Sequence, residues 1–390
     1  MPEMLPAAEW TQREDLAALI AALGQGNARY VGGAVRDTLL GCEVHDIDLA
    51  TPLEPVEVIA RLDAAGIRSV PTGLKHGTIT AIRERDNVEI TTLRCDVSTD
   101  GRHAEVAFSH DWPEDAARRD FTINALYADP QTREVFDYFG GLDDLRSRRV
   151  RFIGDARQRI REDHLRILRY FRFQTRFGSQ PADEDAETAC AELASTLKGL
   201  SRERIGWELQ NLLALPDPGP TVARMAELGV LGVILPEADP ASLIRLVAAE
   251  ARDGVDPDPI RRLAALIPPD AAVAEQVAAR LRLSIAQKKR LVMAAARRDE
   301  VAQPHALAYR IGPAAAVDRL LLSGEASTPL HGWDAPTFPL RGGAIVARGV
   351  AAGPQVARIL RAVEAAWIAE GFPDEDRVAA LLNTQLANHL

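Results

Sequence analysis

The periodicity of the chain changes once, near residue 150, and that change limits the fold more than any other feature. Before it, short apolar runs and two-residue alternation recur. Residues 28–31 form an apolar run that ends in Gly32-Gly33 and leads into a helical stretch, 34–40. Residues 46–50, 78–82 and 88–93 alternate as strands do, 104–108 and 135–138 read as further strands, and 115–126 reads as a helix. After residue 150, Ala, Leu, Arg and Glu dominate. Gly178, Pro216, Gly219, Pro236, Gly254 and Pro268-Pro269 punctuate them, which predicts many antiparallel helices. Strands first and helices afterwards indicate an α+β chain. A dinucleotide-binding doubly wound sheet is disfavoured, because there is no clean βαβ alternation and no G-x-G-x-x-G. At 390 residues, two or three domains are expected, taking roughly 150 residues for each. The expected divisions are an N-terminal helix (1–24), a mixed head (25–149), a helical segment (150–220, with a break near Pro216–Pro220) and a second helical region (221–390).

Composition excludes several classes. The N-terminal segment carries acids and reads as an amphipathic helix, not a signal peptide. No uncharged apolar run approaches the ~18 residues a membrane span needs. The three cysteines, Cys42, Cys95 and Cys190, show no C-x-x-C, which suits a reducing cytoplasmic setting and not a zinc site. A net charge of −10 taken alone argues against a nucleic-acid partner. Its distribution argues the other way. Residues 144–176 hold eleven arginines against four acids, a local +7 that leaves −17 elsewhere. Such a strip is either a phosphate-facing patch or a set of solvated helix faces.

Three constellations point to chemistry. In the first, VGGAVRD (31–37) precedes HDIDLAT (45–51). On a strand, Asp46 and Asp48 share a face about 7 Å apart, with Ile47 pointing into the core. Two carboxylates so close repel unless a cation lies between them, and Mg2+ prefers such oxygen ligands while retaining substrate phosphate. Gly32-Gly33 allows backbone N–H groups to approach an anion, and Arg36 lies one turn further on. In the second, RRDFTINAL (118–126), Arg118 and Arg119 suit phosphate, and Asn124 on the same expected helix face suits a ribose hydroxyl. In the third, REDHLRILRYFRF (161–173), Asp163, Arg166, Arg169 and Arg172 recur every three residues. An Asp acceptor beside an Arg donor matches the amino group and ring nitrogen that cytosine and adenine share, and mismatches guanine and uracil. A salt-bridged surface helix is the plainer alternative for that segment. Glu89, on VEITTLR, is placed where a third carboxylate can lie, or is an exposed edge-strand residue.

The run GGAVRD–TLLG–HDIDLAT resembles the first motif of the class II tRNA nucleotidyltransferase and bacterial poly(A) polymerase family, among the polymerase-β-like nucleotidyltransferases. The resemblance implies a nucleotidyltransferase head with a mostly antiparallel sheet, followed by a helical neck, body and tail. It implies Mg2+ at Asp46 and Asp48, and nucleotide contacts from Gly33 and Arg36. It assigns ribose and triphosphate to Arg119, Asp120 and Asn124, and base choice to Glu162 and Asp163 with Arg166, Arg169 and Arg172. PTGLKHGTITA (71–81) is similar to the CCA-adding branch, while the basic GRRF-like run of the poly(A) polymerases is absent. RCDVSTDGRHAEVAF (94–108) resembles the mobile loop of the CCA-adding enzymes, although Thr99 stands near where an aromatic is often found. The match is tight over about 28–210. The implied substrates are tRNA, CTP and ATP, with the helical C-terminal half gripping tRNA. Poly(A) or CC-only addition through the same site, a non-catalytic RNA-binding role, and nucleotidyl transfer to proteins or antibiotics are the rival readings. His110-Asp111 has no partner histidines, so no phosphohydrolase is inferred. Residues 333–349 are expected only to pack a tail helix.

Overall fold

Strands form where the sequence alternates. The computed structural model describes residues 2–83, 86–99, 104–297 and 303–387. The chain divides into two compact units, Met1–Pro236 and Glu237–Leu390. In the first, β1 (Arg29–Val31), α2 (Gly33–Leu39), β2 (Ile47–Thr51), α3 (Pro55–Ala64), β3 (Ser69–Gly73), β4 (Thr78–Ala81) and β5 (Val88–Thr92) follow α1 (Glu14–Leu23). Then come β6 (Arg94–Thr99), β7 (Ala104–Phe108), α4 (Trp112–Ala117), β8 (Leu126–Ala128), β9 (Val135–Asp137) and α5 (Gly141–Arg146). The order across the main sheet is β3-β4-β5-β2-β1-β8-β9, while β6 and β7 form a separate hairpin. Only β2 and β5 run parallel in the main sheet, and every other neighbouring pair described is antiparallel. The expected mostly antiparallel sheet is therefore present. Helix α1 buries Leu16, Leu19, Ile20 and Leu23 and packs on α3.

Four local readings are corrected. Residues 115–126 are not one helix. Helix α4 stops at Ala117, Phe121 is extended, a 3-10 turn spans Thr122–Asn124, and β8 begins at Leu126. The Asp120 side chain accepts from the Phe121 N–H, the kind of local bond that competes with a helix, and Phe121 itself is fully buried. Second, α6 (Ala156–Glu162) ends before Asp163, which is extended and whose carboxylate accepts from the Leu165 N–H at 3.1 Å; α7 (Arg166–Phe177) starts afresh. Third, within the segment 94–108 that resembles a mobile loop, residues 94–99 and 104–108 are paired strands, and 100–103 lie outside the described residues. Fourth, Leu5 is buried and its N–H reaches the Arg133 carbonyl at 2.8 Å, so the segment before α1 runs along the sheet edge.

Helices α8 (Glu184–Leu193), α9 (Arg202–Leu213), α10 (Gly219–Glu227) and α11 (Val230–Ile234) complete the first unit. Helix α6 packs on α8, and α7 packs on α9. An aromatic cluster ties α7 to the RRDF turn: Phe121 lies 5.0 Å from both Phe152 and Phe173, and Phe152 stacks on Tyr170 at 5.8 Å. Each such pair adds about 0.5–1.5 kcal/mol beyond its burial, which holds α7 against the segment carrying Arg119 and Asp120.

The regular elements of the second unit are all helices among its described residues, joined by turns and irregular stretches such as 334–341. Buried ion pairs join its helices. Glu250 accepts from Arg261 at 2.7 Å and Arg262 at 2.8 Å, and Asp318 accepts from Arg261 at 3.3 Å and Arg290 at 2.8 Å. Residues 333–349 pack as expected: Phe338 lies 5.0 Å from Trp367, Trp333 lies 5.8 Å from Phe372, and Ile345 is fully buried.

Candidate active site

The floor of the site is the parallel pair β2–β5. Ile47 is 5% exposed and turns into the core, as an anchor between two outward acids. The register sets Asp48 directly beside Glu89, so these carboxylates share a face of the sheet, and Asp46 precedes the strand by one residue. Strand β5 lies between β4 and β2, so Glu89 is exposed on an interior strand and not on an edge. Burial, reinforced by Glu89 and Asp46, pushes the Asp48 carboxyl up to about 6, against the pull of Arg119. Ionisation of Asp48 is disfavoured in this setting until a cation arrives.

A cleft of about 320 Å³, open to solvent, lies above this floor. Gly32, Gly33, Arg36, Asp46, Asp48, Arg119, Asp120, Asn124 and Arg169 all line it. Gly32 has φ +68°, which L side chains adopt only with strain. A Cβ there would sit 3.6 Å from the Arg119 Nη1 atom, so the bare glycine backbone and that guanidinium face each other. The remaining Arg119 nitrogens are committed elsewhere: Nε donates to the Tyr127 hydroxyl at 3.1 Å, and Nη2 donates to Asp115 at 3.1 Å. Asp115 also accepts from Arg118 at 2.8 Å and from Tyr127 at 2.6 Å. Burial alone would raise the Asp115 carboxyl, but Arg119 and Arg118 prevail and hold it at about 2.

A second chain of bonds crosses the cleft. Arg36 donates to the Asn124 oxygen, the Asn124 amide donates to Asp120 at 3.0 Å, and Arg169 donates to Asp120 at 2.8 Å. This brings Asn124 beside Asp120 through the 3-10 turn, not through the helix face expected from sequence. Burial works to raise the Asp120 carboxyl, yet Arg169 and Asn124 bring it down to about 2. The Arg36 guanidinium lies 4.0 Å above the Phe177 ring, and burial lowers its pKa despite the Asp37 partner.

The other expected residues lie off the cleft lining. Glu89 flanks Asp48 without lining the cleft. Arg118 is spent on Asp115. Asp163 does not pair with Arg166 along one helix; it accepts from Arg204 at 2.7 Å, while Arg166 bonds Glu162 at 2.7 Å and the Arg118 carbonyl at 3.1 Å. The even stripe through Asp163 is therefore broken by the α6–α7 junction. Arg172 donates to Glu208 at 2.7 Å. The arginine strip is also largely neutralised in space: Arg149 pairs with Asp183, Arg157 with Glu192 and Arg176 with Asp37. Sequence reasoning missed Asp115, Tyr127, Glu208, Phe173 and Arg176. Asp115 was legible three and four residues before Arg118 and Arg119. Phe173 and Arg176 extend the Arg169 face at helical spacing and line the cleft. No local signal marks Glu208 or Tyr127 as partners.

The donor set fits a hard divalent cation. Two adjacent carboxylates, one with its ionised form disfavoured, are oxygen ligands of the kind Mg2+ takes through one or two side chains. Among the described residues, no three His, Cys, Asp or Glu side chains gather closely enough to hold a metal by themselves. Most of an octahedral shell would therefore fall to water and substrate oxygens.

Residues 28–151 match the model of the poly A polymerase head domain, and residues 182–242 match that of a probable RNA and SrmB-binding site of polymerase A. The chain is 38% identical over 369 residues to mitochondrial CCA tRNA nucleotidyltransferase 1 of Homo sapiens, covering 89% of this chain and 84% of that one. It is 36% identical over 364 residues to the Mus musculus protein of the same name, covering 88% and 83%. Among solved structures, it resembles the Bacillus stearothermophilus CCA-adding enzyme in complex with CTP, with TM-score 0.77, 27% identity and coverage of 98% and 99%. The Thermotoga maritima CCA-adding enzyme complexed with tRNA shares the fold, with TM-score 0.69, 20% identity and coverage of 93% and 92%.

Proposed function

This chain belongs to the CCA tRNA nucleotidyltransferase family, and from that premise we propose that it adds C, C and A to the 3′ end of tRNA from CTP and ATP without a nucleic-acid template. The supporting observation is one cleft in which Asp46 and Asp48 face a glycine pair and the guanidiniums of Arg36, Arg119, Arg169 and Arg176. The tRNA 3′ hydroxyl attacks the α-phosphate of the bound nucleotide, and pyrophosphate leaves. The chemistry supplied by magnesium bound at Asp46 and Asp48 is activation of that hydroxyl and neutralisation of the departing pyrophosphate.

The protein groups do the positioning. The Gly33 backbone N–H, at the start of α2, and the Nη1 end of Arg119 receive phosphate oxygens, while the Gly32 N–H is held by the Leu126 carbonyl at 3.1 Å and Gly32 serves by its bare backbone. Asn124 serves the ribose, and Asp120 keeps Arg169 aimed across the cleft. Fixed donors of this kind need no reorganisation as charge develops, which is where most of the rate gain arises. Base choice is assigned to the α6–α7 junction. Asp163 offers an acceptor and Arg166 a donor that suit C and A, with the Arg204 and Glu162 contacts exchanged for base edges when nucleotide binds. Arg172 and Glu89 act behind these groups. We read 25–149 as the catalytic head, 150–220 as the nucleotide-selecting neck, and 221–390 as the body and tail that hold tRNA. The three cysteines form no disulfide, which suits a cytoplasmic setting, and no helix among the described residues is long and apolar enough to cross a membrane.

The test is extension of tRNA lacking its CCA end, with CTP and ATP supplied singly and together while magnesium is titrated. Addition of two C residues with CTP alone, and of a terminal A only after them, is expected. Long poly(A) tails on generic RNA would overturn the reading in favour of a poly(A) polymerase.

A further inference from the structure

Outside the cleft, Trp207 stands on the solvent face of α9 at 59% exposure. It is one of two aromatics among the exposed large hydrophobic side chains described, and the more open of them. Single exposed apolar residues are ordinary on protein surfaces and by themselves mean nothing. The surroundings of this one differ. The Arg172 guanidinium lies 6.0 Å from the Trp207 ring centroid and 4.9 Å from that of Phe173, which lines the cleft. Arg172 is itself held by Glu208, whose side chain is fully buried. One fixed cation thus lies between a ring at the cleft and a ring on the open surface. Arg204 lies three residues before Trp207, on the same face of α9, 45% exposed and paired with Asp163. An open aromatic face flanked by guanidiniums is the chemistry that receives an unpaired base and its phosphate.

We propose that Trp207 is a stacking platform for an unpaired base of the tRNA 3′ strand, just outside the nucleotide cleft. The proposal rests on the reading of that cleft as the site where RNA is extended. Stacking is blind to base identity, because every base has a π-face, so one tryptophan can steady the strand as its terminal sequence changes. The ring contributes to holding RNA and nothing to holding the incoming nucleotide.

Trp207→Ala and Trp207→Phe, made in the full-length protein, test this against tRNA lacking its CCA end. Trp207→Ala is expected to raise KM for tRNA about fivefold or more, while KM for CTP stays within about twofold. Trp207→Phe, which keeps a π-face, is expected to stay within about threefold of the wild type. The slope of log affinity for tRNA against log salt should not change, since no phosphate contact is removed. A melting curve for each variant shows that the fold is kept. If Trp207→Ala binds and extends tRNA with wild-type KM, or weakens CTP as much as tRNA, the platform is overturned. A wild-type protein that extends no tRNA at all would instead overturn the reading of the cleft.

Discussion

Asp48 needs a counter-ion more than any other side chain in the cleft, because burial and two neighbouring acids disfavour its charge. Titrating magnesium into the metal-free protein is therefore expected to raise Tm, by the equivalent of about 2.7 kcal/mol at a hundred times Kd. Asp48→Asn should abolish that shift, keep the fold, and lower extension by about a hundredfold or more; a thermal scan and the extension assay check this. Chelation should stop extension of the wild type. Asp115 behaves oppositely. Its folded pKa, about 2, lies below the ordinary 3.8, so the folded state binds its proton less tightly than the unfolded chain. Its stabilisation is full above about pH 4 and is lost as pH falls towards 2. Asp115 is 1% exposed between two arginines, and Asp115→Asn should lower stability at pH 7 by about 3 kcal/mol or more, measured by urea denaturation. Asp46, Asp48 and Arg119 were legible because each lies in a short motif. Glu208 was not, because its partner Arg172 is 36 residues away.

At the scale of elements, the 3-10 turn at Thr122–Asn124 is the joint on which the nucleotide end of the site depends. Helix α5 packs on it, and Asp144 accepts from the Thr122 hydroxyl at 2.6 Å. The first residue of α5, Gly141, has no room for a Cβ, which would fall far inside contact distance of the Thr122 carbonyl oxygen. Gly141→Ala is expected to cost about 1–3 kcal/mol of stability by overpacking and to lower kcat/KM for both nucleotides, because the turn carrying Asn124 must shift. Denaturation and steady-state kinetics measure the two effects. The break between α6 and α7 is a second joint. Helical spacing predicts a stripe through residue 163, but the Asp163 carboxylate satisfies the Leu165 N–H and the stripe begins again at Arg166. Element type was readable wherever the period was sustained. It failed at short segments such as 118–126, where side-chain-to-backbone bonds and the burial of Phe121 outweigh helix propensity.

Over the whole molecule, a charge of −10 has to be reconciled with an RNA partner. The strip of eleven arginines is the sequence-level answer, yet many of them pair with acids brought from elsewhere, including Asp120, Asp183, Glu192 and Glu208. Phosphate contacts should then be few and local. Affinity for tRNA is expected to fall by about tenfold or more between 50 and 200 mM salt, as counterion release requires, and fluorescence anisotropy across a salt series checks it. The switch from strands to helices, and the chemical motifs built on Gly32-Gly33, Asp46, Asp48 and the RRD run, are readable from the order of residues alone. Those follow from covalent geometry, whose periods of 2 and 3.6 residues are local. Folding in three dimensions sets Glu89 beside Asp48, lets Asp120 hold Arg169 from 49 residues away, and gives Arg172 to Glu208. Such pairings are chosen by burial, where a charge left without its partner costs more than any local preference can repay.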